Sequence, residues 1–390
     1  MNKKIIFDYP VFNLGFRAFF ALAALSALLL MVLWHNIFTG KLVVANYFSP
    51  TVWHAHEMLA GYAVAVMAGF LLTAIKTWTG KTTLTGDALA GLCLVWLYGR
   101  LAPFYAQLLP APLIAFMDLA FLPLLTYHIS KVIIQTRYYA GFVFVGILIL
   151  LAISNGLIHA QALGLSHSAP LGLQLMVATM VMLILIIAGK VLPAFTEKGL
   201  TGVLIIPNPM VDNVAIATAL LMFMAQLAGV SGLSLFIVAS CCALANFVRL
   251  WRWAFRKVCY VPLLWVLYSG YLWLIIGFVL IALSAYQIVS SSAALHALTL
   301  GGIGLLTLGM MARVALGHTG RALKAANAIT LAFALLNLAA FIRVLLPLVF
   351  PAWYDGLIYS ATLIWLGAFS LFLFIYTPIL TRPRIDGLKG

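Results

Sequence analysis

Two places in this chain of 390 residues put histidine where an ionisable side chain is expensive. His54-Ala55-His56-Glu57-Met58 and His296 each lie about one turn inside an apolar stretch. A histidine in hydrocarbon needs a partner. A neutral imidazole finds one as a metal ligand whose other ring nitrogen is held by a hydrogen bond. His56 and His296 therefore form a candidate ligand pair, able to hold a flat macrocycle from both faces, with helix packing and interhelical hydrogen bonds as the plain alternative. Two residues along a regular helix are ~200° apart, so His54 and His56 address different centres. His54, Met58 and Tyr62 share a face at i, i+4 and i+8, and imidazole with thioether suits copper or haem iron. Glu57 lies between the two stripes, as a proton carrier or as an acceptor for an arginine or histidine N–H.

The other intramembrane charges are few. Asp118 needs a donor. Arg100 and Arg343 stand near the ends of apolar runs on the side poor in positive charge, so something holds them there: carboxylates of a cofactor, Asp118, or lipid phosphates. His318 is a further candidate metal ligand, whereas His35, His128 and His167 fall in loops and His159 at a helix end, where structural roles are the expectation. Cys93, Cys241, Cys242 and Cys259 give no disulfide or metal framework. The chain lacks a phosphate-binding loop, a dinucleotide fingerprint, a zinc-protease helix and a CxxC pair, which leaves metal chemistry or transport.

The elements that must position these residues follow from composition. Apolar residues make up 65% of the chain and charged ones 8%, too few to clothe a water-soluble surface. A hydrocarbon core of ~30 Å needs roughly 20 apolar residues per helix. Twelve such runs occur, near 15–34, 53–75, 86–103, 111–129, 138–158, 171–193, 211–230, 233–252, 263–286, 293–315, 326–348 and 356–378. The expected fold is an all-α polytopic membrane protein. No small-residue cleavage site follows the first run, which predicts that it is a span and not a cleaved signal.

Positive charge orients the spans. With the N-terminus in the cytoplasm, nineteen Lys and Arg fall on the cytoplasmic side, and only Lys41, Arg100 and Arg343 on the other. That asymmetry accounts for the net charge of +14 without a nucleic acid partner. A shift of 240 residues superposes His56 on His296, Gly61 on Gly301, Gly69 on Gly309, and Thr79-Gly80-Lys81 on Thr319-Gly320-Arg321. A shift of 120 adds Met176 and Gly189, so the second, sixth and tenth helices are expected to be equivalents. The chain is then a single transmembrane domain, 1–390, built from three four-helix units near 15–129, 138–252 and 263–378.

Two blocks carry a family resemblance. Trp53-His54-Ala55-His56-Glu57-Met58-Leu59 with Gly61-Tyr62, Gly69-Phe70-Leu71-Leu72-Thr73-Ala74 and Trp78-Thr79-Gly80 resembles the NnrS family, as does Arg313-Val314-Ala315-Leu316-Gly317-His318-Thr319-Gly320-Arg321. The resemblance implies a bacterial inner-membrane protein of the nitric oxide and nitrosative-stress response, associated with denitrification and containing haem, of the b type, and copper. A looser likeness joins three four-helix units, with histidines on the second and tenth helices, to the catalytic subunit of haem–copper oxidases. Met176 stands where a histidine of the sixth helix would be needed, so a tri-histidine copper site is not expected.

The function expected from sequence is a haem protein with His56 and His296 as axial ligands and Arg343 and Arg100 near the haem carboxylates. His54, with Met58, is expected to face a second haem or copper. Nitric oxide, or an electron donor such as quinol, would be the small-molecule partner. The alternative is a haem-free transporter of a metal or small solute, with the histidine pair as its substrate site. The charge asymmetry predicts that reporters fused at the C-terminus report a cytoplasmic location; activity only of a periplasm-dependent reporter would reverse the orientation.

Overall fold

The computed structural model describes residues 6–388, apart from the side chain of residue 255, so Lys3, Lys4 and Lys389 of the charge asymmetry lie outside the described residues. All twelve expected spans are helices long and apolar enough to cross a membrane, and no strand occurs among the described residues. They run Gly15–Phe38, Pro50–Thr79, Gly86–Tyr105, Ala111–Thr136, Tyr139–Ala162, Ala169–Gly199, Pro209–Leu227, Gly232–Arg252, Pro262–Ser284, Ser291–His318, Asn327–Val349 and Pro351–Thr381. The chain is a multi-pass membrane protein.

The helix ends follow local chemistry. Pro50 opens the second span at a position where the missing N–H costs nothing. Ser290 caps the tenth through Oγ to the amide of Ala293 (3.3 Å), and Asn208 caps the seventh through Oδ1 to the amide of Val211 (3.1 Å). Gly80 and Gly320 end the second and tenth spans with φ of +71° and +75°, the left-handed turn glycine adopts without strain. Both spans also contain a π-helical stretch, Glu57–Ala63 and Ala297–Gly304, beginning directly after His56 and His296. Wide turns of this kind rotate the residues beyond them relative to an α-helix and concentrate at functional positions.

The fourth span is broken at Ala120, between Ala111–Leu119 and Phe121–Thr136. Pro123 lacks the N–H that would bond the Leu119 carbonyl and its ring crowds that carbonyl, which accounts for the break. Asp118 sits just before it.

Two compact units make up the chain, one of Met1–Thr179, Val314–Ala322 and Phe372–Gly390, the other of Met180–Arg313 and Leu323–Leu371. In the first unit, the second span is the most enclosed of the twelve. It packs on the first span at Gly69, where a Cβ would come 3.0 Å from both Phe19 Cβ and the Phe20 ring. In the second unit, the ninth and tenth spans meet in the same way: a Cβ at Gly270 would come 2.8 Å from Leu306, and one at Gly309 2.7 Å from Val266. Small residues at such crossings let backbones approach where lipid gives no hydrophobic drive. The second unit holds its own ion pair, with the buried Arg249 donating through Nε to the half-buried Asp212 Oδ1 at 2.6 Å and through Nη1 to the Leu185 carbonyl at 2.9 Å.

Gly69→Leu should therefore overpack the first two spans and cost about 1–3 kcal/mol. Gly91→Leu should be nearly neutral, since a Cβ at Gly91 meets nothing within 4 Å. Unfolding temperatures of the two purified variants check this; equal values would show that the Gly69 contact is not tight.

Candidate metal centre

Within the first unit, the second, third, fourth and fifth spans bring together Glu57, His56, Arg100, Asp118, Asn155 and His159. All are buried, His56 and Glu57 completely. Arg100 Nη1 donates to Glu57 Oε2 (3.3 Å), and its Nη2 donates to Asp118 Oδ1. Asn155 Nδ2 donates to Asp118 Oδ2 (2.7 Å). His56 Nε2 lies 3.2 Å and His159 Nε2 2.8 Å from that same oxygen.

The local sequence explains how so much polarity fits. Gly61 leaves room for the arginine, since a Cβ there would lie 3.0 Å from Arg100 Nη1 and 3.2 Å from Glu57 Oε2. Gly99 leaves room for the acid, since its Cβ would lie 2.6 Å from Asp118 Oδ1. The widened turn of the second span gives the Gly61 carbonyl an outside partner, Trp96 Nε1 at 3.3 Å. Asn155 and His159 are four residues apart and so share one face of the fifth span.

Each histidine has its far nitrogen held as well. His56 Nδ1 is 3.0 Å from Glu57 Oε1, and His159 Nδ1 is 3.3 Å from the Tyr47 hydroxyl. Tyr47 belongs to the segment between the first two spans, anchored by its amide to the Pro103 carbonyl (2.9 Å). Burial pushes the Tyr47 phenol up to about 12, so it stays a protonated hydroxyl throughout the neutral range. Phe48 closes the site, its ring 4.6 Å from that of His56 and 5.2 Å from that of His159.

Two features point to a cation. The Nε2 atom of His56 has only oxygens around it, Asp118 Oδ2 and Asn155 Oδ1 (2.9 Å), while Nδ1 faces another oxygen of Glu57. A neutral imidazole has one N–H, so a second positive centre, a proton or a metal ion, must fill the other contact. Charge gives the same result: the carboxylates of Glu57 and Asp118 face one guanidinium, leaving one negative charge in a low-dielectric surround. His56, Asp118 and His159 offer ligand atoms all within 4.8 Å of one another, two imidazoles and a carboxylate. Non-haem iron, zinc and copper all use such donors. The Glu57–His56 contact is the carboxylate–histidine pairing that fixes a ligating tautomer.

The other residues singled out by sequence lie elsewhere. His54 is half-buried and stacks on Trp34 of the first span, ring centroids 4.2 Å apart and planes 11° apart, on the opposite course from His56 as the i, i+2 spacing requires. Met58 is half-buried and takes no part in the hydrogen bonds of the cluster. Arg100 is engaged by Glu57 and Asp118. In the second unit, His296 Nδ1 is 2.8 Å from the Ser292 carbonyl, which holds the proton there and leaves Nε2 as the lone-pair nitrogen. Arg343 Nη2 donates to Ser292 Oγ (3.4 Å), with Cζ 5.7 Å from the Tyr354 ring centroid. His318 belongs to the first unit, at the end of the tenth span, where Arg384 and Lys76 act on it electrostatically and its ring is 5.8 Å from that of Phe16.

Haem needs a free ring nitrogen and a slot beside it. Around His56 both nitrogens face polar groups, and the room at Gly61 is taken by Arg100, so this donor set suits an ion better than a macrocycle. His296 has the nitrogen, and Arg343 supplies a cation near Ser292. A Cβ at Gly301 would lie 2.6 Å from the Trp273 ring and one at Gly304 3.3 Å from the Trp365 ring, so neither glycine opens onto free space.

His159, Asn155 and Tyr47 were not legible as site residues. The available signal was the i, i+4 pair of polar side chains, Asn155 and His159, in an otherwise apolar span.

A family model described as NnrS protein matches residues 10–384, nearly the whole chain. No curated protein gives a significant match.

Removing the guanidinium would strand two buried carboxylates. Arg100→Leu should destabilise the protein by about 3–5 kcal/mol. Arg343→Leu should cost much less, since the partners of Arg343 among the described residues are neutral, the Ser292 hydroxyl and Tyr354, with no carboxylate. Unfolding of both variants in the same detergent checks the order; a smaller effect at Arg100 would show that the cluster is not held by charge.

Proposed function

The chain belongs to the NnrS protein family, and from that premise we propose that it is a metal-dependent membrane protein of the nitric oxide response. Its metal ion is held by His56, His159 and Asp118. The observation that carries this reading is the convergence of two imidazole Nε2 atoms on one oxygen of Asp118, each ring fixed from behind by Glu57 or Tyr47. A bound iron or copper ion would supply an open coordination position for a small ligand such as nitric oxide. The protein's own part is to hold the donors, keep the tautomers and exclude water with Phe48. Arg100 offsets the acid charge, so a cation is held without a large field elsewhere in the membrane.

Haem of the b type is proposed on His296, whose Nε2 is the lone-pair nitrogen, with the Arg343 cation suited to a haem carboxylate. Electrons would come from a donor such as quinol. Location in the bacterial inner membrane with cytoplasmic termini, and three four-helix units, belong to the same proposal. The repeat is supported by the shared π-helical stretches after His56 and His296 and by the matching left-handed glycines.

A second reading has one observation in its favour. The chain Glu57–His56–Asp118–His159–Tyr47 is continuous from a fully buried acid to a half-buried loop hydroxyl, as a proton path in a haem-free transporter would be.

Metal analysis and a pyridine haemochrome assay on the purified protein separate the two. Wild type should carry metal and haem; His159→Ala and Asp118→Asn should each lower bound metal at least tenfold while keeping haem. His296→Ala should lose haem and keep metal. A colourless, metal-free wild type, or metal content equal in wild type and both ligand variants, would overturn the assignment in favour of the proton path.

A further inference from the structure

Arg17, at the start of the first span, is completely buried and only partly satisfied. Its Nη1 donates to the carbonyls of Ile379 (3.4 Å), Leu380 (3.0 Å) and Arg382 (2.8 Å), so it caps the end of the twelfth span. Among the described residues, its Nε and Nη2 have no hydrogen-bond partner. Those two atoms form the side edge of a guanidinium, the parallel pair of N–H groups that matches two oxygens of one carboxylate or phosphate. An orphaned charged donor pair is far costlier than a lost surface contact.

The neighbours make the missing partner an anion. Arg321 and Arg384 act repulsively on Arg17, and Lys76 and Arg384 on His318. Against these cations stands Asp386, which is spent on Arg384: Nε to Oδ1 at 2.8 Å and Nη2 to Oδ2 at 2.5 Å. Arg384 Nη1 in turn donates to the His318 carbonyl (2.9 Å), and the Ile385 amide to the Thr319 carbonyl (3.3 Å), so the last segment is tied to the His318-Thr319-Gly320-Arg321 block. That block was conspicuous in the sequence and has no part in the metal centre. Ile385 and Asp386 are exposed, so the segment that covers Arg17 borders the outside, and a ligand would reach the buried edge by displacing it.

We propose that Arg17, Arg321 and Arg384 form an oxyanion site in which a phosphate group sits on the Nε–Nη2 edge of Arg17. A dianionic phosphate suits the excess of positive charge better than a single carboxylate. It is either free phosphate or the monoester headgroup of a lipid such as phosphatidic acid; the site lies at the ends of three spans, where headgroups reside.

The full-length protein is tested in two arms. In detergent, inorganic phosphate is titrated against chloride of equal ionic strength while the unfolding temperature is followed. In vesicles of phosphatidylcholine, stability is compared with and without phosphatidic acid. A rise specific to phosphate assigns the free anion, and a rise only with phosphatidic acid assigns the lipid. No specific rise in either arm would overturn the site. Arg17→Lys keeps the charge but loses the fork, and should weaken apparent binding at least tenfold. Because Arg17 also caps the twelfth span, Arg384→Gln is the second variant, and should weaken binding several-fold. Asp386→Asn should tighten it by removing the competing acid, which a merely structural cluster would not do. Unchanged binding in both arginine variants would also reject the proposal.

Discussion

A carboxylate inside a membrane span survives only if donors replace the water it has lost, and Asp118 is where this chain meets that constraint. Four side chains from three other helices converge on it: Arg100 on one oxygen, and His56, Asn155 and His159 on the other. Each convergence imposes a condition elsewhere. Gly99 must lack a Cβ so that Asp118 can approach the third span, and Gly61 must lack one so that Arg100 can reach Glu57. The break at Ala120, which Pro123 produces, puts Asp118 at a helix irregularity. The widened turn after His56 gives Trp96 a carbonyl and accompanies two adjacent side chains, His56 and Glu57, facing one cluster. A buried network of this kind contributes little net stability and much uniqueness, because an alternative packing leaves charges unpaired.

Much of the fold was legible because hydrocarbon imposes a crude rule. Twelve apolar runs became twelve helices, with ends displaced by a few residues where Pro50, Pro262 or Pro351 could start a helix earlier than hydropathy suggested. The site was legible only in part. That His56 lay within the membrane and that His54 pointed away from it followed from length and helical spacing. That Asp118 required a donor followed from its cost. Arg100 was one candidate donor, but the choice of Arg100 over Arg343 and the addition of Asn155 and His159 did not follow, because these residues come from helices whose rotation depends on the Ala120 break and the wide turn at Glu57–Ala63. Neither irregularity has a periodicity that announces it. His159 was the clearest loss: at a helix end it resembles any structural histidine, and only the approach of Tyr47 and Asp118 distinguishes it.

The two ends of the first unit's helices also differ in electrostatic character. Around Asp118, acids outnumber the guanidinium, and the unmet charge calls for a cation. Around Arg17, guanidiniums outnumber the acid, and the unmet charge calls for an anion. His318 lies in the second environment, where Arg384 and Lys76 act on it electrostatically. His56 and His159 lie in the first, beside Asp118. Position along the span therefore discriminates between histidines that composition alone treats alike.

The same reasoning separates His56 from His296, although the two hold matching places 240 residues apart. The position matching Glu57 is Ala297, and the position matching Asp118 is Ile358. Both are apolar, so neither acid has a counterpart at its matching position, and the His296 Nδ1 turns to a backbone carbonyl, that of Ser292. A doubly charged ion on His296 would have no carboxylate to offset it and would sit beside Arg343. A group whose own carboxylates can meet that arginine avoids the penalty, as a haem would. At His56 the balance is reversed: the acids are present, Arg100 already uses part of them, and a compact cation fits what remains. In the proposed repeat, the two helices thus place matching histidines in opposite fields, and the exchange of two acids for alanine and isoleucine supports the different chemistry proposed for them.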